Sequence, residues 1–196
     1  MLWSNGVIPP PQLSNLAYFH AHPFNVGQHV AHNAMLDECV RHDVDWHVRM
    51  DDDCWISTRT WLKRLLSIQD QIVKLSGRHA VLGINVDGLD NPPAAVTRRT
   101  YGYELRNGVI ESVDILGGIF RMSPMPLVRY FRWDERQAMG FGDATQFKSY
   151  CESAGVPMFR ARSVHATHGG STQKQREADA DWQYEHDLLQ FVPLGL

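Results

Sequence analysis

From residue 45 to residue 50 polar and apolar side chains alternate without a break, Asp45, His47 and Arg49 against Trp46, Val48 and Met50. A period of two marks a strand with two chemically distinct faces, and it predicts one over 44–50. Upstream the spacing changes. Ala31, Met35 and Cys39 recur at i, i+4 and i+8, with Val30, Ala34 and Leu36 widening the stripe. That spacing predicts an amphipathic helix over 28–41, entered from the Asn25-Val26-Gly27 turn. Trp61, Leu62, Leu65, Leu66, Ile72 and Val73 predict a second helix over 58–75, with Thr58 as its cap. The near-continuous apolar run 80–86 fits a strand covered on both faces. Residues 1–8 and 16–20 read as shorter strands on either side of Pro9-Pro10-Pro11, where proline removes the amide donor.

Further along, Asn107-Gly108 between two strand-like segments predicts a hairpin over 98–114. Residues 115–122 are apolar around Gly117-Gly118, and Pro124 and Pro126 mark the start of a helix. Another helix opens at Asp143 and is closed by Gly155 and Pro157. A last strand over 159–167 and a final helix over 173–189 follow. Strands and helices alternate, so the predicted class is α/β. No repeat, low-complexity tract or linker divides the chain. Residues 1–196 therefore read as a single domain, with 173–196 as a helical extension.

Composition narrows the classes. A chain of 196 residues, 43% hydrophobic and 21% charged, has the balance of a soluble globular domain with a buried core. A formal charge of −3 gives no electrostatic reason to expect a nucleic-acid partner. No apolar run reaches membrane-spanning length, so no membrane span is expected. The first residues lack the basic start and apolar stretch of a signal peptide. Cys39, Cys54 and Cys151 are odd in number and unclustered, which argues against a disulfide framework or zinc knuckle and for a reducing, cytoplasmic compartment.

The end of the 44–50 strand carries the candidate chemistry. Asp51, Asp52 and Asp53 are three adjacent carboxylates that repel one another, so they require solvent or a cation. In open α/β sheets ligands bind beyond the carboxyl ends of the strands. A hard divalent cation bridging carboxylate to phosphate suits that place. A solvated acidic turn is the plainer explanation of the triplet taken alone. Among ten histidines, His20-x-His22 and His29-x-x-His32 have ligand-like spacing without a matching third ligand, and they read as non-ligands. Trp55 either stacks on a sugar or packs under the following helix.

Five segments, in order, resemble the family-2-like glycosyltransferases of the GT-A fold. Asn25-x-Gly27 with Ala31 and Asn33 looks like that family's segment ahead of the metal strand, and Asp51-Asp52-Asp53 is similar to its Asp-x-Asp motif. Gly117-Gly118-Ile119-Phe120-Arg121 resembles the apolar strand before the acceptor-side helix, and Trp133-Asp134-Glu135 with Gly142-Asp143 resembles its acidic stretch. Ala154-Gly155-Val156-Pro157 and then His165-Ala166-Thr167-His168-Gly169-Gly170-Ser171 look like its closing strand and metal-binding histidine. The resemblance spans residues 1–172.

It implies a GT-A-like (Rossmann-like) sheet, mixed but mostly parallel, flanked by helices, shortened at the N-terminus and with 98–114 as a hairpin insertion. It implies Mn²⁺ or Mg²⁺ as cofactor and a nucleotide-diphosphate sugar as donor. Asp53 would ligate the metal together with His168 or His165. Asp51, Asp52, Asn33 and Gly118 would hold the donor. Asp143 would act as general base in an inverting transfer to an acceptor hydroxyl. A bound cation neutralises charge developing on the departing diphosphate, which suits that chemistry. A helix cap is an equally good local explanation of Asp143, and a structural role is one for either histidine.

Leu2-Trp3-Ser4-Asn5-Gly6 stands where the family has its second strand, so a strand–helix unit of roughly thirty residues is missing by comparison. Asn5 also replaces the Asp often found beside the base. Two expectations result. One is a metal-dependent glycosyltransferase whose open sheet edge is completed by a second copy or a partner. The other is a catalytically degenerate domain that binds carbohydrate or protein.

Overall fold

The alternation at 45–50 does form a strand, and its two faces belong to different layers. The computed structural model describes residues 2–5, 19–22, 26–51, 54–87, 110–137 and 142–168. The chain, read from sequence as one domain, divides into two compact units, one of 1–41, 132–143 and 171–196 and one of 42–131 and 144–170.

In the first unit β1 (Leu2–Asn5) pairs in parallel with β2 (Phe19–His22), and α1 (Gln28–Arg41) follows. The predicted helix boundaries match. The second predicted strand lies two to three residues further along than 16–20, on Phe19–His22.

The second unit holds a six-stranded mixed sheet: β3 (Trp46–Met50), β4 (Cys54–Ile56), β5 (Val81–Asp87), β6 (Ile110–Ser112), β7 (Phe120–Pro124) and β8 (Met158–His168). The order is β3-β7-β5-β8-β4, with β6 also on β8. Helix α2 (Trp61–Ser76) covers one face. The short α3 (Met125–Val128) and α4 (Asp143–Ala154) follow β7. The protein is therefore α/β, with a mixed sheet flanked by helices.

The expectation of a mostly parallel sheet is corrected. Only β5 and β8 pair in parallel in this sheet, while β3–β7, β5–β7, β4–β8 and β6–β8 are antiparallel. Parallel neighbours require a crossover, usually helical. The β3-α2-β5 crossover leaves a gap of one strand, and β7 fills it in the reverse direction. Residues 113–119 join β6 to β7 without a helix.

The core lies between α2 and the sheet. Leu65, Ile68 and Ile72 of α2 meet Leu82, Ile84, Phe120, Met122, Ala161 and Ala166, and Trp61 packs edge-on to Phe120 at 5.8 Å. Burial of such side chains stabilises by about 1.5–3 kcal/mol each. Gln69 is the polar member of this face, and its amide pairs with both backbone groups of Ala80, at the entry to β5. On the opposite face Phe147 of α4 lies under the Arg121 guanidinium at 4.4 Å and edge-on to Phe131 at 5.2 Å.

Thr58 does not cap α2. Thr60 is the N-cap residue and makes no side-chain cap bond, while the Thr58 hydroxyl accepts the His165 N–H at 3.3 Å. Gly155 closes α4 with φ 64°, as its sequence position predicts. Of the predicted hairpin, Ile110–Ser112 is β6 and pairs with β8, and residues 98–109 lie outside the described residues. The final helix expected over 173–189 lies outside them too. Among the described residues no helix is long and apolar enough to cross a membrane.

Candidate functional site

The acid triplet is anchored at both ends. The Asp51 N–H donates to the Ile119 carbonyl at 2.9 Å, and the Asp51 carbonyl accepts the Cys54 N–H at 3.2 Å. Half-buried Gly118 thus adjoins the residue that fixes Asp51. Asp52 and Asp53 themselves lie outside the described residues. Past them the chain enters β4, a three-residue edge strand that sequence periodicity does not reveal, and its register brings a distant residue close. Cys54 pairs with His168, and Ile56 with Ala166. The late histidine of the sequence pattern therefore stands directly across from the residue that follows Asp53.

His165 and His168 lie on opposite faces of β8, as an offset of three requires. His168 shares the face of Cys54 and Ala166, both of which are buried. His165 shares the other face with Asn85, and its carbonyl accepts from the Ser57 backbone N–H at 3.2 Å and hydroxyl at 3.3 Å. Trp55, on the face opposite Cys54, is 55% exposed, so it does not pack under α2.

The other face of β3 and β7 carries what the sequence motifs miss. His47 pairs with Ser123 and Arg49 with Arg121, and all four side chains are buried. Arg49 is 3% exposed and its Nη2 lies 3.4 Å from the Asp51 carboxylate, which is 28% exposed. Burial, the Arg121 charge and the Arg49 charge hold the His47 imidazole down to about 4, and among the described residues its Nε2 has no hydrogen-bond partner. The available signal was the polar half of the β3 alternation, which contains two basic residues, together with an arginine inside an otherwise apolar strand.

Two other predicted residues belong to the first unit. Asn33 is buried. Its Nδ2 donates to the Trp133 carbonyl and to Glu135, each at 2.9 Å, and its Oδ1 accepts the Trp133 N–H at 2.9 Å. Beside it the His29 ring donates to the Asp134 carbonyl at 2.9 Å, and His32 packs on Trp133 at 5.1 Å. Arg136 hydrogen-bonds Asp134 and holds its carboxyl at about 2. Asp143 is the first residue of α4 and is 5% exposed. A helix N-terminus favours a negative charge there.

For a divalent cation, carboxylate oxygen is the donor type that suits Mn²⁺ or Mg²⁺, and β8 offers imidazole nitrogen as a further type. Among the described residues no group of three or more His, Cys, Asp or Glu side chains comes together to hold a metal. Against protein-family models the chain finds no match, and it finds none among curated proteins.

Proposed function

We propose that the protein is a metal-dependent glycosyltransferase of the GT-A type, moving a sugar from a nucleotide-diphosphate sugar to an acceptor hydroxyl with inversion. The observation that carries this reading is the β4–β8 register, with Cys54 opposite His168, next in sequence to the acids that end at Asp53. Carboxylates at a strand end suit Mn²⁺ or Mg²⁺, and an imidazole nitrogen can add a further ligand.

In this reading Asp53 and His168, with His165 as the alternative ligand, hold Mn²⁺ or Mg²⁺. When bound, the cation neutralises charge on the departing diphosphate. Asp51 and Asp52 orient the nucleotide, and Gly118 lets the donor approach the backbone beside Ile119. Asn33 holds the donor, a role that rests on the motif resemblance. Asp143 accepts the proton of the acceptor hydroxyl as its oxygen attacks the anomeric carbon.

One observation favours a second reading. An indole as exposed as that of Trp55 offers a stacking surface for a sugar ring, which a catalytically degenerate carbohydrate-binding module of the same fold would use without metal. Calorimetric titration of UDP, GDP and UDP-glucose, each with and without Mn²⁺, on wild type and Asp53→Ala separates the two. The transferase reading expects binding that requires the metal and is lost in the variant. Binding indifferent to both refutes it and favours the module.

A further inference from the structure

Arg49 has no counterpart in the motif pattern, yet it sits where that pattern matters most. On an extended strand residues i and i+2 share a face, so Arg49 and Asp51 project to the same side of β3. That side already holds Arg121, the register partner of Arg49, and both guanidiniums are almost wholly buried, at 3% and 2% exposure. Two adjacent buried cations repel, and each requires a compensating group. Arg121 has the Phe147 ring at 4.4 Å. Arg49 has the Asp51 carboxylate at 3.4 Å, a charge contact looser than a well-formed hydrogen bond. Burial first, and then the charges of Arg121 and Arg49, hold the His47 imidazole low.

Resting on the functional reading above, we propose that Arg49 is a positioning residue: backed by Arg121, it fixes the Asp51 carboxylate on the arginine face of β3. Asp51 thereby serves the hydroxyl and N–H donors of a nucleoside and is withheld from the metal. Two features assign it that role. A carboxylate only accepts hydrogen bonds, so it is matched to ribose or base donors and repels a diphosphate. A carboxylate already neutralising a buried guanidinium gives up that contact if it turns to a cation.

The test uses two readouts on wild type, Arg49→Met, Arg49→Lys, Asp51→Asn and Asp53→Asn, each checked for folding by circular dichroism and thermal melting. The first readout is Mn²⁺ binding alone, followed by electron paramagnetic resonance. The second is calorimetric UDP binding in saturating Mn²⁺. Arg49→Met and Asp51→Asn are expected to leave Mn²⁺ affinity within about twofold and to weaken UDP about tenfold, while Asp53→Asn loses the metal. Arg49→Lys, which keeps the charge at shorter reach, is expected to fall between wild type and Arg49→Met for UDP. A folded Arg49→Met with wild-type UDP affinity overturns the proposal, as does a loss of Mn²⁺ equal to that of Asp53→Asn. Should Arg49→Met not fold, an unchanged UDP affinity in Arg49→Lys overturns it instead. Wild type that takes up neither Mn²⁺ nor UDP sinks the functional reading itself, and the role of Arg49 falls with it.

Discussion

His47 makes stability depend on pH in a window that can be calculated. The imidazole lies on the buried face of β3, between the charges of Arg121 and Arg49, and titrates at about 4 against an ordinary value of 6.5. The unfolded chain therefore binds a proton between these two values while the native state does not. Stability rises with pH wherever the unfolded state holds more protons. The contribution is fully present above pH 6.5, declines as the pH falls, and levels off below about 4. At about 1.4 kcal/mol per pH unit, the difference between pH 8 and pH 5 is about 2 kcal/mol, with a ceiling of about 3 kcal/mol at lower pH. That is a large share of the 5–15 kcal/mol typical of a domain.

Urea unfolding of wild type and His47→Gln at pH 8 and pH 5 isolates this effect, because the other nine histidines contribute equally to both proteins. Wild type is expected to lose about 2 kcal/mol more than the variant on acidification, with similar m values. A single imidazole resonance that stays neutral down to pH 5 should accompany the loss. Parallel pH profiles for the two proteins would refute the reasoning, since they would mean that His47 charges in the native state despite its two arginine neighbours.

Two further outcomes follow from buried groups outside that cluster. Gln69→Leu strands both the N–H and the carbonyl of Ala80, which the Gln69 amide satisfies in the core, and is expected to lower the urea stability by about 2–4 kcal/mol; a loss below 1 kcal/mol would show that the amide pairing is not made. Cys39, Cys54 and Cys151 are buried thiols, with Cys151 pushed up to about 12 and Cys39 upward, chiefly by burial. A thiolate-trapping reagent is expected to label none of them rapidly in the native protein and all three in guanidinium, so burst labelling of the native state would contradict the packing.

Much of the scaffold is readable from local pattern because local chemistry decides it. Helix α1 is bounded by a glycine turn and carries a regular stripe, β5 is an apolar run, and Gly155 ends α4 at a positive φ that favours glycine. Strand β4 is not readable. Three residues are too few to show a period, and what makes them a strand is the partner β8, whose sequence lies far away. The direction of β7 is hidden for a similar reason, since helix–strand alternation predicts crossovers and says nothing about which gap a later strand fills. Asn33 illustrates the same limit in the first unit. Its place in a motif suggests a ligand contact, and only the fold reveals the three hydrogen bonds it makes to Trp133 and Glu135.

The β3 alternation shows why the site itself is only half legible. A period of two separates Trp46, Val48 and Met50 from His47, Arg49 and Asp51, but it cannot say what covers the polar set. A solvated polar face would leave Arg49 mobile and Asp51 an ordinary surface acid. Burial of that face changes the electrostatics. Arg49 and Arg121 are forced together by register, His47 is driven neutral, and Asp51 becomes the carboxylate by which this cationic layer meets solvent at the strand end. Asp51 is held from below by the buried Arg49 guanidinium. Sequence alone presents Asp51 as one acid of a cluster, whereas the fold sets it against a buried guanidinium.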